Sequence, residues 1–189
     1  MMKKRVLLAG AALALSGAVS AQTYATISFG SSSIKVDCAG AQTCDKSDTA
    51  FKLLGGYKFT PNVAVEAGYM SFGKAKIRDS GDSLDVGVTG FGVGVAFHQD
   101  LSANWNFVGR LGLAQMKTKL DASIAGLGSA SDSDSNAQLY GGLGVGYKIN
   151  KQVSIDGAWD FTKGKYNKNG ADPGSGNVNA LSVGLTFAF

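Results

Sequence analysis

The stretch Leu181-Ser-Val-Gly-Leu-Thr-Phe-Ala-Phe189 decides the fold of this chain. Large apolar residues alternate strictly with small or polar ones, so every second side chain falls on one apolar face of an extended strand. An apolar strand with an open edge invites aggregation in water. Closure of the sheet into a barrel removes that edge, and lipid stabilises the apolar face. We therefore expect the upstream chain to form a barrel that closes on this strand.

Seven further segments show the same alternation. With approximate ends they are 24–36, 49–60, 63–73, 84–98, 105–118, 136–149 and 153–162, and the last strand is 177–189. The connections after the second, fourth and sixth strands are short, and the other four, 37–48, 74–83, 119–135 and 163–176, are long and polar. Short turns on one side and long loops on the other are typical of outer-membrane barrels. The sequence predicts an all-β, eight-stranded antiparallel up-and-down transmembrane β-barrel.

The first 21 residues have the pattern of a cleaved signal peptide. Lys3, Lys4 and Arg5 precede the apolar run Val6–Val19, and Val19-Ser-Ala21 is a plausible cleavage site. A transmembrane helix would need about 20 apolar residues. Cleavage would remove three cationic residues and lower the formal net charge from +4 to +1, which leaves little support for nucleic-acid binding. We expect residues 22–189 to form the barrel domain.

Aromatic residues are expected to form two girdles at the membrane surfaces. The girdle beside the short turns would contain Tyr24, Phe59, Phe97, Trp105, Tyr147 and Phe189. Tyr69, Trp159 and Phe161 would belong to the other girdle. The alternative is that they are ordinary sheet aromatics.

Three pieces of sequence carry a family resemblance: Glu66-Ala-Gly-Tyr-Met-Ser-Phe-Gly73, Gly109-Arg-Leu-Gly-Leu113 and Val183-Gly-Leu-Thr-Phe-Ala-Phe189. The chain resembles the small eight-stranded outer-membrane barrels, which include the OmpA transmembrane domain, OmpX and the opacity-type proteins. The resemblance implies a monomer in the outer membrane of a Gram-negative bacterium, in contact with lipid and lipopolysaccharide. It also implies insertion by the barrel assembly machinery, with Phe187 and Phe189 in the C-terminal insertion signal, and adhesion or protection through the external loops.

The face opposite the lipid holds most of the strand charges, namely Lys52, Lys58, Glu66, Arg110, Lys148, Asp156 and Asp160. Buried charges must pair, because an unpaired one costs several kcal/mol. A tight turn at Pro61-Asn62 would place Lys58 opposite Glu66, and Arg110 could reach Glu66 or Asp156. The network is interpreted either as a structural plug, the default for a lumen of this size, or as a salt-bridge gate over a narrow pore, which the OmpA resemblance suggests.

Cys38 and Cys44 lie in the first long loop, where secretion favours a disulfide. A redox or metal pair is the alternative, but a metal would need more thiol or imidazole ligands. We expect no cofactor. The segment Asp132–Asn136 begins like a calcium loop, but Ala137 and Leu143 replace the required Gly and Glu, so an acidic, serine-rich loop is expected.

His98 is the only histidine, and it tests for enzymatic activity. Some barrels of this size modify lipid A with a His and a Ser-type nucleophile, which must face the outer leaflet. His98 falls on the predicted periplasmic side, so we expect a surface or turn histidine and no enzyme. The basic segments 74–78 and 163–168 are expected to be solvated loops, or to bind lipopolysaccharide phosphates or an anionic host surface.

Four functional hypotheses remain. The preferred one is a structural or surface-interaction role through the external loops, with a possible host ligand, and the second is a narrow pore for ions or small solutes. A soluble lipocalin-type barrel would turn the apolar face inward and the charged face outward, which periodicity alone does not exclude. An enzyme is the fourth.

Overall fold

The structure, a computed structural model, describes residues 23–35, 42–79, 82–124, 126, 128–168 and 171–189, without the side chains of 166–175. The strands are β1 Thr23–Ile34, β2 Thr43–Asp45, β3 Ser47–Lys58, β4 Val63–Asp79, β5 Asp82–Asp100, β6 Trp105–Ile124, β7 Gly128–Lys148, β8 Val153–Lys168 and β9 Ala171–Ala188. In these ranges no helix has the length and apolar character to cross a membrane. The predicted signal peptide lies outside the described residues and stays a prediction.

Eight of the strands form one closed antiparallel barrel. Each is hydrogen-bonded to its neighbour in the chain, β1 pairs with β9, and the short β2 adds only to the edge of β4. The register of the closing pair runs from Tyr24 opposite Ala188 to Ile34 opposite Val178. The predicted eight-stranded barrel, closed by the final strand, is confirmed.

The apolar face of the alternating strands points outward. In β9, Leu181 and Val183 are 68% and 63% exposed, whereas the residues that precede them, Ala180 and Ser182, are buried. The interior of the same part of the barrel holds the buried charges Lys52 and Glu66. The lipocalin-type alternative, with its apolar face inside, is therefore wrong.

The short connections lie at one end of the barrel, which we call the short-turn end, and we call the opposite end the hairpin end. The turns are held by side chains, as at 149–152, where Asn150 Oδ1 accepts hydrogen bonds from the backbone N–H groups of Gln152 and Val153, both at 2.8 Å. The turn at 59–62 is centred on Pro61, since Lys58 pairs with Ala64.

Most of the predicted long loops are strand. β5, β6 and β7 have 19, 20 and 21 residues, about twice the 9–11 that a tilted strand needs to cross a bilayer. The segment Asp132–Asn136, expected to be a loop, lies within β7, and the basic segments 74–78 and 163–168 lie within β4 and β8. The loop assignments 74–83, 119–135 and 163–176 are therefore wrong, since nearly all of their described residues lie in the strands of extended hairpins.

The polarity of the two barrel faces inverts part-way along the strands. In β6, Leu111 and Leu113 are exposed on the outer wall and Arg110 points inside. Toward the hairpin end of the same strand, Lys117 is exposed on the outer wall and Met116 is fully buried inside. An apolar outer wall is stable against lipid, whereas an apolar interior is stabilised when water surrounds the wall. The inversion therefore marks the level at which the barrel leaves the membrane.

An apolar cluster fills the barrel interior at the hairpin end, and we call it the hairpin-end core. Its buried members are Ile34, Ala50, Met70, Phe72, Ala75, Val86, Val88, Ala114, Met116, Tyr140, Val178 and Ala180. Leu84 and Leu120 pack against it.

A β-bulge in β4 adjusts the strand where it enters this core. The register shifts between Ser71 and Lys74, and Gly73 there has φ +66°, which favours glycine. Asp48 on β3 accepts the backbone N–H of Lys74 at 2.8 Å and that of Thr49 at 2.8 Å. These hydrogen bonds lower the pKa of the Asp48 carboxyl, with that from Thr49 the larger cause. The bulge lets Ala75, an odd-numbered residue, take the inward position that Met70 and its even-numbered neighbours hold before it.

The aromatic girdle beside the short turns holds all the expected residues but one. Phe59, Phe97, Trp105, Tyr147 and Phe189 are exposed on the outer wall, as are Tyr69, Trp159 and Phe161 further up.

The exception is Tyr24, which is 5% exposed. Its assignment to the girdle is wrong, because it has the inward parity of β1 and makes polar contacts inside the barrel.

Candidate functional site

Among the described residues, two buried ion pairs lie inside the barrel, and the first joins β4 to β6. Arg110 Nε donates to Glu66 Oε2 at 2.8 Å, and the two side chains are 8% and 7% exposed. β5 lies between them, and the ladder partner of Glu66 on β5 is Gly94. Because Gly94 has no side chain, the two long side chains can meet in front of β5. The structure thus brings Arg110 to Glu66, one of the two partners that we considered for it.

The second ion pair joins β3 to β8. Lys52 Nζ contacts Asp160 Oδ2, and Tyr140 donates its O–H to Asp160 Oδ1 at 2.5 Å. All three side chains are buried. Gly142 leaves room beside them, because a Cβ there would lie 2.6 Å from Asp160 Oδ1. The carboxylate of Asp160 is thus held by one cation and one hydroxyl, and it leaves no unpaired charge.

A third element links the first ion pair to the short-turn end. Tyr24 donates its O–H to Glu66 Oε1 at 2.7 Å, and its oxygen lies 3.1 Å from His98 Nε2. A phenol has one proton to donate, and here it goes to Glu66, so His98 Nε2 must carry an N–H and donate it to Tyr24. Arg110, Glu66, Tyr24 and His98 therefore form one continuous hydrogen-bonded chain.

His98 is not the surface or turn histidine that we expected, since it is buried inside the barrel with its ring nearly perpendicular to that of Tyr24. That expectation is wrong because His98 belongs to the alternate residues of β5 whose side chains point into the barrel, close to the polar end of that strand. The predicted position of His98 near the short turns is confirmed, because His98 pairs with Val108 close to the 101–104 turn.

Two small cavities adjoin the ion pairs, and a larger open one of about 110 Å³ reaches Arg110 from the short-turn side. The cavity beside Glu66 and Arg110 has a volume of about 20 Å³, and that beside Lys52 and Asp160 about 10 Å³. Volumes of that size hold about one water molecule at most. Above them lies the hairpin-end core, whose buried side chains are apolar apart from the hydroxyl of Tyr140. The arrangement can neutralise charge and fill the lumen.

The other predicted interior charges lie at the short-turn mouth, around an open cavity of about 110 Å³. Lys148 pairs with Asp100 at 2.7 Å and is partly exposed. Asp156 accepts hydrogen bonds from Ser154 at 3.2 and 3.3 Å.

Lys58 lies opposite Ala64, not Glu66, because the turn is centred on Pro61. Its Nζ stands 5.9 Å from the centre of the Tyr24 ring. The predicted pairing of Lys58 with Glu66 is wrong, and the seven predicted charges divide into a buried group of four and a mouth group of three.

Sequence reasoning missed Tyr24, Tyr140 and His98 as members of the network. Each of them alternates in phase with the inward-facing charged residues of its own strand or of the neighbouring strand. This phase can be read from the sequence. Tyr24 was instead assigned to the aromatic girdle because it lies beside the short turns, and Tyr140 was assigned no role.

The remaining site predictions are not decided by the described residues. Cys38 lies outside them, so the disulfide with Cys44 stays a prediction. No cluster of three or more His, Cys, Asp and Glu side chains in the described ranges is arranged to hold a metal ion.

At the hairpin end the basic residues of β4 meet acidic neighbours. Lys74 Nζ lies 3.5 Å from Asp121, and Arg78 donates to Asp85 at 2.7 Å. Lys119 also contacts Asp121 at 2.8 Å, and its hydrogen bond lowers the pKa of the Asp121 carboxyl to about 2.

A closed antiparallel barrel with an apolar outer wall, a paired polar interior and short turns at one end defines an outer-membrane β-barrel. The sequence from residue 6 to residue 189 matches the family model of the outer membrane protein beta-barrel domain. The chain belongs to this family and lies in the outer membrane of a Gram-negative bacterium. Its short-turn end is accordingly the periplasmic end and its hairpin end the extracellular end.

Solved structures with the same fold include several outer-membrane barrels. Ail, the attachment invasion locus protein of Yersinia pestis, has a TM-score of 0.54 at 20% identity over 89% of this chain and 99% of that chain. Neisserial surface protein A has a TM-score of 0.61 at 14% identity, covering 88% and 97% of the two chains. OprG from Pseudomonas aeruginosa has a TM-score of 0.54 at 18% identity, covering 89% and 96%. No curated protein matches the chain in sequence.

Proposed function

We propose that the protein is a closed, non-conducting barrel that acts through its extracellular hairpins. The observation that carries this proposal is the filling of the lumen. Two buried ion pairs occupy the membrane level, and the hairpin-end core lies above them. An ion crossing the barrel would have to break charge-assisted hydrogen bonds and then pass an apolar plug, and each step is costly.

The competing function is a narrow pore gated by the Glu66–Arg110 ion pair. Breaking that pair alone would open only the lower half of the lumen, because the apolar side chains of Val88, Met116 and Val178 are almost completely buried above it. A gate at the ion pair would therefore also require movement of the hairpin-end core. For this reason the plug is the preferred interpretation.

Conductance of the refolded protein in a planar lipid bilayer tests the choice. We expect no unitary conductance from the parent or from Glu66→Ala, since the hairpin-end core still closes the lumen. Asp156→Asn is the matched control, because it removes a carboxylate at the periplasmic mouth without touching either buried pair. Steady unitary conductance of the parent that changes in Glu66→Ala and not in Asp156→Asn would establish a gated pore instead.

The hairpins that project from the membrane are the surface through which the protein would act. In the β6–β7 hairpin, Lys119 is paired with Ser133 and Asp121 with Ser131, so an ordered polar ribbon continues well above the lipid. Such a ribbon offers backbone-ordered charges and hydroxyls to an external ligand, at a lower ordering cost than a flexible loop. Ail, which shares the fold, has been solved in complex with the heparin analogue sucrose octasulfate. That complex supports a surface ligand for this chain, and adhesion or protection is the corresponding role.

Shortening the β6–β7 hairpin tests this role. Replacing residues 120–132 by Asn-Gly keeps Lys119 opposite Ser133 and should leave the barrel folded. We expect cells that display the shortened protein to lose adhesion to a surface coated with a sulfated polysaccharide, and the parent to retain it. The matched control replaces residues 78–83 of the β4–β5 hairpin in the same way. Equal adhesion of cells with the parent, the shortened chain and no barrel at all would contradict the role.

We extend the proposal to the insertion of the barrel, to its oligomeric state and to the absence of enzymatic activity. The outward-facing Phe187 and Phe189 are 39% and 65% exposed, which suits a signal that the barrel assembly machinery reads. We infer a monomer, because the ladders between neighbouring strands close the barrel at the level of the two buried ion pairs. We also infer that the protein is not an enzyme, because His98 is engaged with Tyr24 at the periplasmic side of the lumen.

A further inference from the structure

The β-ladder between β7 and β8 ends half-way along both strands. The pairs run from Lys148–Ser154 at the periplasmic end only as far as Gly141–Phe161. Beyond that level β7 continues in register with β6, and β8 continues in register with β9. The wall therefore has a seam between the β6–β7 and β8–β9 hairpins, on the extracellular side of Gly141.

Two contacts from side chains to backbone carbonyls bridge the seam. Thr162 Oγ1 donates to the carbonyl of Leu139 at 2.8 Å, and Asn136 Nδ2 lies 3.5 Å from the carbonyl of Lys165. These side chains stand where backbone pairs would otherwise form. They fill the seam from inside the barrel, so a further β-strand from another molecule would find its pairing positions obstructed.

An apolar groove of about 950 Å³ begins on the outer wall at the lower end of the seam. Its apolar lining includes Leu111, Leu113, Ala137, Leu139, Trp159 and Phe161. Leu139 in the middle is 69% exposed, and Phe161 lies over Gly141, where a Cβ would come within 2.4 Å of its ring. The floor is continuous with the lipid-facing wall below it, so this part of the groove is in contact with acyl chains.

The extracellular rim of the same groove is polar and cationic. Lys163 and Lys165 line it together with Asn177 and Asn179. No carboxylate lines the groove within the described part of the chain. Lys163 follows Phe161 on the outer face of β8, so the rim begins one outward-facing residue above the apolar floor. The groove thus changes from apolar to cationic at the level where the barrel leaves the membrane.

We propose that this groove is a binding site for a phosphorylated lipid of the outer leaflet, with an acyl chain on the Leu139–Trp159 floor and the phosphate at Lys163 and Lys165. An amphiphile with a negative headgroup matches both the position and the charge of the two halves of the groove. The site lies on the outer wall, so its occupancy does not depend on whether the lumen conducts. The proposal goes beyond the plug and the surface role, because it places the acyl chain and the phosphate of one lipid in a single groove of the outer wall.

Trp159 in the groove gives a direct measurement of lipid contact. The chain has two tryptophans, so Trp105→Phe leaves Trp159 as the only one. This variant would be reconstituted in phosphatidylcholine vesicles that contain a small fraction of either phosphatidic acid or phosphatidylcholine with brominated acyl chains. Bromine quenches tryptophan on contact, and comparing the two lipids at equal mole fraction gives the preference for the phosphomonoester.

We expect stronger quenching by the brominated phosphatidic acid, and a decrease in that preference of about fivefold for each lysine neutralised. Lys163→Gln and Lys165→Gln are the test variants. Lys117→Gln is the matched control, because Lys117 is exposed on the outer wall of β6 but does not line the groove. Ala137→Phe should fill the groove and reduce the preference, whereas Ala67→Phe, on the outer wall of β4, should not.

Equal quenching by the two lipids in the Trp105→Phe protein would overturn the proposal. So would a preference that Lys117→Gln lowers as much as Lys163→Gln, because it would then reflect the general charge of the barrel. A disulfide-linked dimer of Ala137→Cys in oxidised membranes would assign the groove to a second copy of the chain and would also overturn it.

Discussion

We expect substitutions of Glu66 and Arg110, the partners of a buried ion pair, to have strongly non-additive effects on stability. Replacing Glu66 by Gln keeps an oxygen that can accept the Tyr24 hydroxyl but removes the negative charge, so the guanidinium of Arg110, 8% exposed, is left without a counter-ion. Removing one partner of a buried pair costs about 3–5 kcal/mol, because the remaining charge stays desolvated. We expect a loss of this size for Glu66→Gln, and a similar one for Arg110→Met. The double variant has no unpaired charge, so it should be at least about 2 kcal/mol more stable than either single variant.

Denaturant unfolding of the barrel in lipid vesicles measures these values, with tryptophan fluorescence and the gel mobility of the folded form as two readouts. The matched control is Lys148–Asp100, an ion pair of similar length at the periplasmic mouth whose side chains are 34% and 65% exposed. Its disruption should cost about 0–1 kcal/mol, as is usual for exposed pairs. Additive effects of Glu66→Gln and Arg110→Met, or a loss below about 1 kcal/mol for Glu66→Gln, would refute the buried-pair reasoning.

Two further predictions concern the extracellular half. Gly73→Ala should lower stability by about 1–3 kcal/mol, because φ is +66° and the new Cβ would lie 2.6 Å from Asp48 Cβ; thermal unfolding measures it, and a melting temperature equal to that of the parent would contradict the strained bulge. The Asp121 carboxyl should titrate near pH 2 by NMR and move toward its ordinary value in Lys119→Met. Because its pKa in the folded state is lowered, its contribution to stability is present above its unfolded pKa and is lost as the pH falls toward 2. An unchanged titration in Lys119→Met would show that the ion pair is not the cause.

The lower half of the barrel was predictable because each strand there follows one rule. Apolar residues such as Leu181 and Val183 face lipid, so their period-2 pattern gives both the strand and its orientation. The upper half was missed because the rule reverses. In Met116-Lys-Thr-Lys-Leu120 the alternation is equally regular, but the inner residues are now the apolar ones. If the apolar residues are assumed to face outward along the whole strand, the predicted strand ends where the apolar residues move to the inner face.

The interior network was only partly predictable, for reasons of register. The inward parity of Glu66 and Arg110 follows from the sequence, but the partner of Lys58 depends on the centre of a turn. A Lys58–Glu66 pair needs a turn centred on Asn62, whereas the turn is centred on Pro61 and places Lys58 opposite Ala64. The Lys52–Asp160 pair crosses the lumen between strands that are not neighbours, and the contact depends on barrel closure, which no local pattern encodes.

The inversion of the two faces also has a thermal consequence. Unfolding of the hairpin-end core would transfer side chains such as Met116 and Val178 from a dry interior to water, which raises the heat capacity. Side chains on the membrane-facing wall, such as Leu181, lie against lipid hydrocarbon in the folded barrel. They add to the heat-capacity change only if unfolding also removes the chain from the bilayer. Cooling therefore weakens the extracellular half and leaves the membrane half almost unaffected, so one continuous sheet has two different temperature dependences.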